Sequence, residues 1–187
     1  MSKTNSETGN DFEKQKQELI AALKACGAVR YGDFTLASGK KSKYYIDIKK
    51  ASTDPGTLKI IARHAALRIK EMDVDIVAGV ELGGVPLATA VSLETELPLL
   101  IVRKSVKDYG TKSRFVGDLK PEDRLVMLED VTTSGGSVRD AIEVVREAGA
   151  SVKYVITVVD REEGAGEKLK EADVQLVPLV SASDLLK

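Results

Sequence analysis

The sequence predicts an α/β fold in which a central parallel sheet is flanked by helices, with a small β-type flap ahead of it. Three observations predict it. Short apolar runs recur along the chain, each ending in a glycine- or hydroxyl-rich turn. The turns at residues 81–86 and 132–137 each open into a helix. Strand and helix signals alternate across residues 54–160, the pattern of a parallel sheet covered on both faces.

At 187 residues the chain is long enough for one domain with a sizeable core. We read residues 1–10 as a polar, mobile tail and residues 11–187 as a single domain, with a flap or hood at 11–50 and a core at 51–187. Charged residues make up 30% of the chain and the net charge is -1, so no basic excess points to nucleic acid. The single cysteine, Cys26, excludes an intrachain disulfide framework and fits a reducing, cytoplasmic compartment. Its place at the end of an amphipathic helix marks it as a small apolar residue rather than a nucleophile. The start of the chain lacks the apolar region of a signal peptide, and no uncharged apolar run reaches membrane-spanning length. The expected partners are small molecules, with neither nucleic acid nor membrane among them.

Taken in order, the helix read from Phe12 to Ala25 shows one apolar face of Leu19, Ile20, Ala22 and Leu23, and Gly27 ends it. Two β-type segments, residues 34–36 and 44–48, flank a Ser-Gly-Lys turn and predict a hairpin. Asp54 followed by Pro55 opens the next helix. That helix holds His64, the only histidine, with no partner in sequence, so we read it as structural rather than catalytic. Residues 75–80 predict a buried strand, and Glu81, Leu82, Gly83 and Gly84 form a tight turn into a further helix. Such a turn exposes backbone N–H groups to an anion. Residues 98–102 predict a third strand leading into a basic, apolar-poor run at 103–114, expected to be a mobile loop. Later strands are expected at 152–159 and 174–179, followed by a closing helical turn at 181–186.

The most informative stretch is E-D-V-T-T-S-G-G-S at residues 129–137, preceded by four apolar residues, 125–128, that read as a strand buried on both faces. A turn into a helix N-terminus presents unpaired N–H groups and the positive end of the helix dipole, which suits a phosphate. Glycines let the backbone curl around the anion, and hydroxyls add donors. Glu129 and Asp130 are wrong for phosphate, but suit vicinal sugar hydroxyls or the hydration shell of Mg2+. Acid pair followed by phosphate cradle therefore describes a sugar 5-phosphate laid across a strand end. The bland alternative is an acidic loop followed by an ordinary helix cap.

This stretch resembles the phosphoribosyl pyrophosphate (PRPP) signature of the type I phosphoribosyltransferases, and its form is most similar to that of the orotate phosphoribosyltransferases. Further motifs stand in family order over about residues 17–180. F-T-L-A-S-G-K-K-S-x-Y-Y resembles the substrate hood, with Ala37 where many members have Lys, so that Lys40, Lys41 or Lys43 would have to replace that cation. R-K-x-x-K-D-Y-G-T-K resembles the catalytic loop, with Tyr109 where many have His, and its drift afterwards leaves contacts from Lys112 and Arg114 open. D-R-E-E-G resembles the segment whose Arg meets the carboxylate of orotate. The resemblance implies transfer of ribose 5-phosphate from PRPP to orotate, with Mg2+ and in a homodimer with shared sites. It assigns PRPP to Arg103, Lys104, Lys107, Tyr109, Glu129, Asp130, Val131, Thr132, Thr133, Ser134, Gly135, Gly136 and Ser137. Among these, Arg103, Lys104, Lys107, Glu129 and Asp130 would carry the catalysis. Orotate falls to Thr133 and Arg161, the diphosphate to the turn at 81–84, and no protein side chain is named as a metal ligand. Two rivals keep the signature: a phosphoribosyltransferase for another base, and a PRPP-sensing regulator on the same fold.

Overall fold

The computed structural model describes residues 4–35, 41–105 and 113–187, with side chains from Phe12 onward. Ala37, Lys40, Lys107, Tyr109 and Lys112 lie outside the described residues. The chain begins with α1 (Thr4–Ala25), so its backbone is helical over most of the stretch read as a tail. The low hydrophobicity of residues 1–10 is what suggests a tail. Glutamate, lysine and glutamine are nevertheless good helix formers, and Gln17 donates to Glu13 one turn away at 2.9 Å.

The antiparallel hairpin β1 (Val29–Thr35) and β2 (Lys41–Ile46) forms a sheet of its own. The predicted second segment continued through Ile48, but the strand stops at Ile46 and a one-turn helix, α2 (Ile48–Ser52), takes over. Asp47 causes the switch, its side chain accepting from the Lys50 N–H while Ile48 and Ala51 are buried. Asp54 caps α3 (Pro55–Ile69) by accepting from the Thr57 N–H at 2.8 Å, with Pro55 just inside the start. His64 is buried on α3, and its Nε2 lies 2.9 Å from Glu18 Oε2 of α1. Burial lowers its pKa against the pull of Glu18.

The main sheet follows: β3 (Ile76–Val80), α4 (Gly84–Thr95), β4 (Leu99–Val102), β5 (Phe115–Val116), β6 (Arg124–Thr132), α5 (Gly136–Glu147), β7 (Ser151–Asp160), α6 (Ala165–Glu171), β8 (Gln175–Ser181) and α7 (Ala182–Leu185). The strand order is β5-β4-β3-β6-β7-β8, parallel throughout except for the antiparallel β5 at one edge. Alternation along the strands feeds two cores. Val77, Val126 and Leu128 pack with Leu19, Ile61 and Leu87 on one face; Ala78, Leu125 and Met127 pack with Val138, Ile142 and Leu169 on the other.

That strand order positions the site. From β3 the chain first moves to β4, then returns across β3 to β6, so the connections leave β3 and β6 in opposite directions. In open parallel sheets such a switch point leaves a crevice beyond the strand C-terminal ends. The turn after β3 is residues 81–84, and the end of β6 runs into residues 133–135.

Candidate active site

Three turns meet at that crevice. Gly83 packs directly on the Asp130 carboxylate, so closely that a methyl group there would overlap it. A Cβ on Gly84 would lie 2.5 Å from the Leu128 carbonyl oxygen, which fixes the start of α4 against β6. The Glu81–Leu82 peptide in this turn is cis, and the Leu82 side chain is exposed. The third turn follows β7: the Arg161 N–H donates to the Thr132 carbonyl at 2.9 Å, and the Thr132 hydroxyl donates to Asp160 Oδ1 at 3.2 Å.

The signature splits between two cavities. A small one, about 70 Å³, is lined by Glu129, Thr132, Thr133, Gly135, Gly136 and Ser137. Here α5 begins, with Gly135 at φ +77° and no side chain capping the helix, so its first N–H groups are left for an anion. Thr132 differs from the sequence expectation: its buried hydroxyl is turned to Asp160, and Thr133, Ser134 and Ser137 are the exposed hydroxyls of the turn. A larger cavity, about 440 Å³, is lined by Asp130, Val131, Thr133 and Arg161 of the core, and by Thr35, Tyr45 and Lys49 of the hood side. Val131 and Thr133 line both.

The acid pair is electrostatically asymmetric. Burial first, then a hydrogen bond shared with Asp130 and the repulsion of its charge, push the Glu129 carboxyl up to about 8, with Lys104 pulling the other way. Glu129 Oε2 is shielded from water and has no hydrogen-bond partner among the described residues. For Asp130, burial alone would raise the pKa. Its hydrogen bonds with Glu129, the Val131 N–H (2.9 Å) and Lys49 (3.2 Å) outweigh burial and hold the pKa below the usual carboxylate value. The surroundings thus favour charge on Asp130 and the proton on Glu129.

The basic run is described up to Ser105 and from Ser113. The Arg103 N–H donates to the Arg114 carbonyl at 2.8 Å, and the Arg114 guanidinium donates to the Arg103 and Lys104 carbonyls at 3.0–3.2 Å. Arg114 therefore clamps the base of this loop. Arg103, Lys104 and Arg114 share a cavity of about 130 Å³ with Ser137 of the signature. Arg161 is mostly buried, with its guanidinium 5.8 Å from the Tyr44 ring centroid. Glu163 lies 3.1 Å from its Nε, yet Nε makes no directed hydrogen bond, so the pair is Coulombic in character.

Arg103, Lys104, Glu129, Asp130, residues 131–137, Arg161 and the turn at 81–84 all stand at this one end of the sheet. Sequence reasoning missed Lys49; Thr35 and Tyr45 stand in the hood motif without an assigned role, and all three reach the cavity only through folding of the hood. A roomier hollow of about 640 Å³ lies at the opposite end, against the starts of β7 and β8 and beside α6. Its lysines Lys153 and Lys170 face no acid pair and no glycine turn, and Lys153 is already paired with Asp173 at 2.5 Å.

Comparison with known proteins agrees with this geometry. The model of the phosphoribosyl transferase domain matches residues 50–180. The chain is 96% identical, over the full length of both proteins, to the orotate phosphoribosyltransferase of Methanosarcina mazei. It superposes on the crystal structure of orotate phosphoribosyltransferase from Aeropyrum pernix with a TM-score of 0.80 at 36% identity, covering 90% of this chain and 96% of that one. The Mycobacterium tuberculosis orotate phosphoribosyltransferase in complex with PRPP matches with a TM-score of 0.76 at 28% identity, over 92% of this chain and 99% of that one. The chain belongs to the phosphoribosyltransferase family and, within it, to the orotate phosphoribosyltransferases.

Proposed function

We infer that the chain transfers ribose 5-phosphate from PRPP to orotate, giving orotidine 5'-monophosphate and pyrophosphate in pyrimidine nucleotide synthesis. The observation that carries the chemistry is the meeting of a buried acid pair, an uncapped helix N-terminus and a cationic loop base in one crevice.

The C1–oxygen bond to the diphosphate breaks with its electron pair leaving on oxygen, and N1 of orotate supplies the pair for the new C1–N bond. Positive charge gathers on the ribose in between, as in glycosyl transfer generally. Glu129 and Asp130 hold the ribose hydroxyls, and the Asp130 carboxylate favours that charge. The backbone of residues 132–137, with the hydroxyls of Thr133, Ser134 and Ser137, holds the 5-phosphate. Arg103, Lys104 and, outside the described residues, Lys107 neutralise the leaving diphosphate, and removing a single such contact costs roughly 100-fold in rate. The turn at 81–84 offers its amides to the same diphosphate. Arg161 grips the orotate carboxylate beside Thr133. Tyr109, also outside the described residues, belongs to the PRPP-facing loop in this reading.

Mg2+ accompanies PRPP in this proposal. Among the described residues no group of three or more His, Cys, Asp or Glu side chains is placed to hold a metal. In this reading the ion is carried in on the substrate's own oxygens. Bound there, it would neutralise part of the diphosphate charge. We also propose a homodimer, which the family supports. No helix among the described residues is long and apolar enough to cross a membrane. The proposed setting is cytoplasmic, which the single cysteine supports.

The test mixes purified protein with PRPP, Mg2+ and orotate and follows the loss of orotate absorbance, with hypoxanthine, adenine and uracil as parallel substrates. Orotate consumption with no turnover of the other bases is expected. Turnover of a purine with orotate untouched would overturn the reading. Sedimentation of the same preparation at twice the chain mass is expected for the dimer, and a monomer would contradict it.

A further inference from the structure

Lys49 is absent from every motif that pointed to function, yet among the described residues it is the hood-side cation lining the larger cavity. Its Nζ lies 3.2 Å from Asp130 Oδ2. Of the hood lysines considered as substitutes for the cation missing at Ala37, Lys41 is turned to the Thr35 hydroxyl at 2.8 Å and Lys43 is paired with Asp33. Both pairs sit on the exposed hairpin. Lys49 instead stands on α2, whose position is fixed by buried Ile48 and Ala51 and by the Asp47 N–H donating to the Ala28 carbonyl at 2.7 Å.

The two ends of this pair are unlike. The Lys49 side chain is 65% exposed and that of Asp130 only 13%. An exposed lysine contributes little to stability through such a contact, about 0–1 kcal/mol. For a nearly buried carboxylate, by contrast, the partner decides whether charge is tolerated and which way the oxygens face. Val131 holds Oδ1, Gly83 closes the carboxylate from the side of the 81–84 turn, and Lys49 holds Oδ2.

We propose that Lys49 is a positioning residue of the transfer reaction: by holding the Asp130 carboxylate from the hood side, it sets where the ribose hydroxyls of PRPP are gripped. It thereby links folding of the hood to the geometry of the sugar site. This rests on the reading of Asp130 as an acceptor for those hydroxyls.

The test compares Lys49→Met, Lys49→Arg, Asp130→Asn and the double variant Lys49→Met/Asp130→Asn in steady-state kinetics, varying PRPP and orotate separately, with thermal melts to confirm folding. Lys49→Met is expected to lower kcat/KM for PRPP by about 10-fold or more, the scale of a lost charged hydrogen bond. The KM for orotate should change by less than about 2-fold and Lys49→Arg should recover most of the loss. Because Lys49 acts through Asp130, the double variant should be no worse than Asp130→Asn alone. Unchanged PRPP constants in Lys49→Met, equal losses on both substrates, or losses that multiply in the double variant would each overturn the proposal. Full PRPP efficiency in Asp130→Asn would instead overturn the ribose reading beneath it, so the two failures are told apart.

Discussion

At the residue scale the unusual feature is two adjacent carboxyls held in different states. Glu129 is deprived of water and of a partner for Oε2, whereas Asp130 has Lys49 and a backbone N–H. The folded state keeps the Glu129 proton up to about pH 8, while the unfolded chain releases it near the ordinary carboxylate value of 4.5. The folded state therefore binds more protons between those values, and stability falls as pH rises through that window. Glu129→Gln removes this titration. The melting temperature of the variant relative to the parent should rise on going from pH 5 to pH 8, by about 5 °C or more, since each pH unit inside the window is worth up to about 1.4 kcal/mol. Its transfer rate should drop by about 10- to 100-fold. A relative melting temperature that does not change with pH would show that Glu129 is not the protonated member. None of this asymmetry was legible in the sequence. E-D at a strand end announces an acid pair, but the ammonium that divides its roles lies 81 positions away along the chain.

At the scale of elements, the turns after β3 and β6 work as one unit because Gly83 is pressed against the Asp130 carboxylate. Gly83 has φ -65°, so alanine there meets no backbone strain, and only the collision with Asp130 remains. Gly83→Ala should thus raise the KM for PRPP by about 10-fold or more, as when a binding group is displaced by about 1 Å. The KM for orotate should move much less. Equal effects on both substrates would argue that the turn shapes the whole crevice instead. The sequence showed a glycine turn after a strand here, and it showed the parallel strands of the main sheet to within about four residues, because apolar runs with turn signals at both ends are hard to read otherwise; the first hairpin strand, read as 34–36, begins already at Val29. It did not show α2, α6 or β5. The first two are five and seven residues long, and β5 has two. Segments so short carry no periodicity, and they form because neighbouring elements bury Ile48, Ala51 and Leu169.

At the scale of the whole molecule, the parallel sheet with its two cores holds the strand ends rigid, and the change of winding direction between β3 and β6 opens the crevice where they finish. The hood is attached as a separate two-stranded sheet. It is tied down by Tyr31, whose hydroxyl donates to the Leu185 carbonyl at 2.9 Å, and by α2. Function was legible at this scale because the family motifs fall at strand ends, which any parallel sheet gathers on one side. The contribution of the hood was not, since it depends on how two sheets are set against each other. The central claim is that the acid pair and the anion nest hold one phosphorylated sugar between them. A crystal structure of the chain with PRPP bound tests it most directly. The ribose hydroxyls should lie within hydrogen-bonding distance of Glu129 and Asp130, with the 5-phosphate on the backbone N–H groups of residues 132–137. A sugar phosphate seated elsewhere, or bound in the reverse direction, would contradict it.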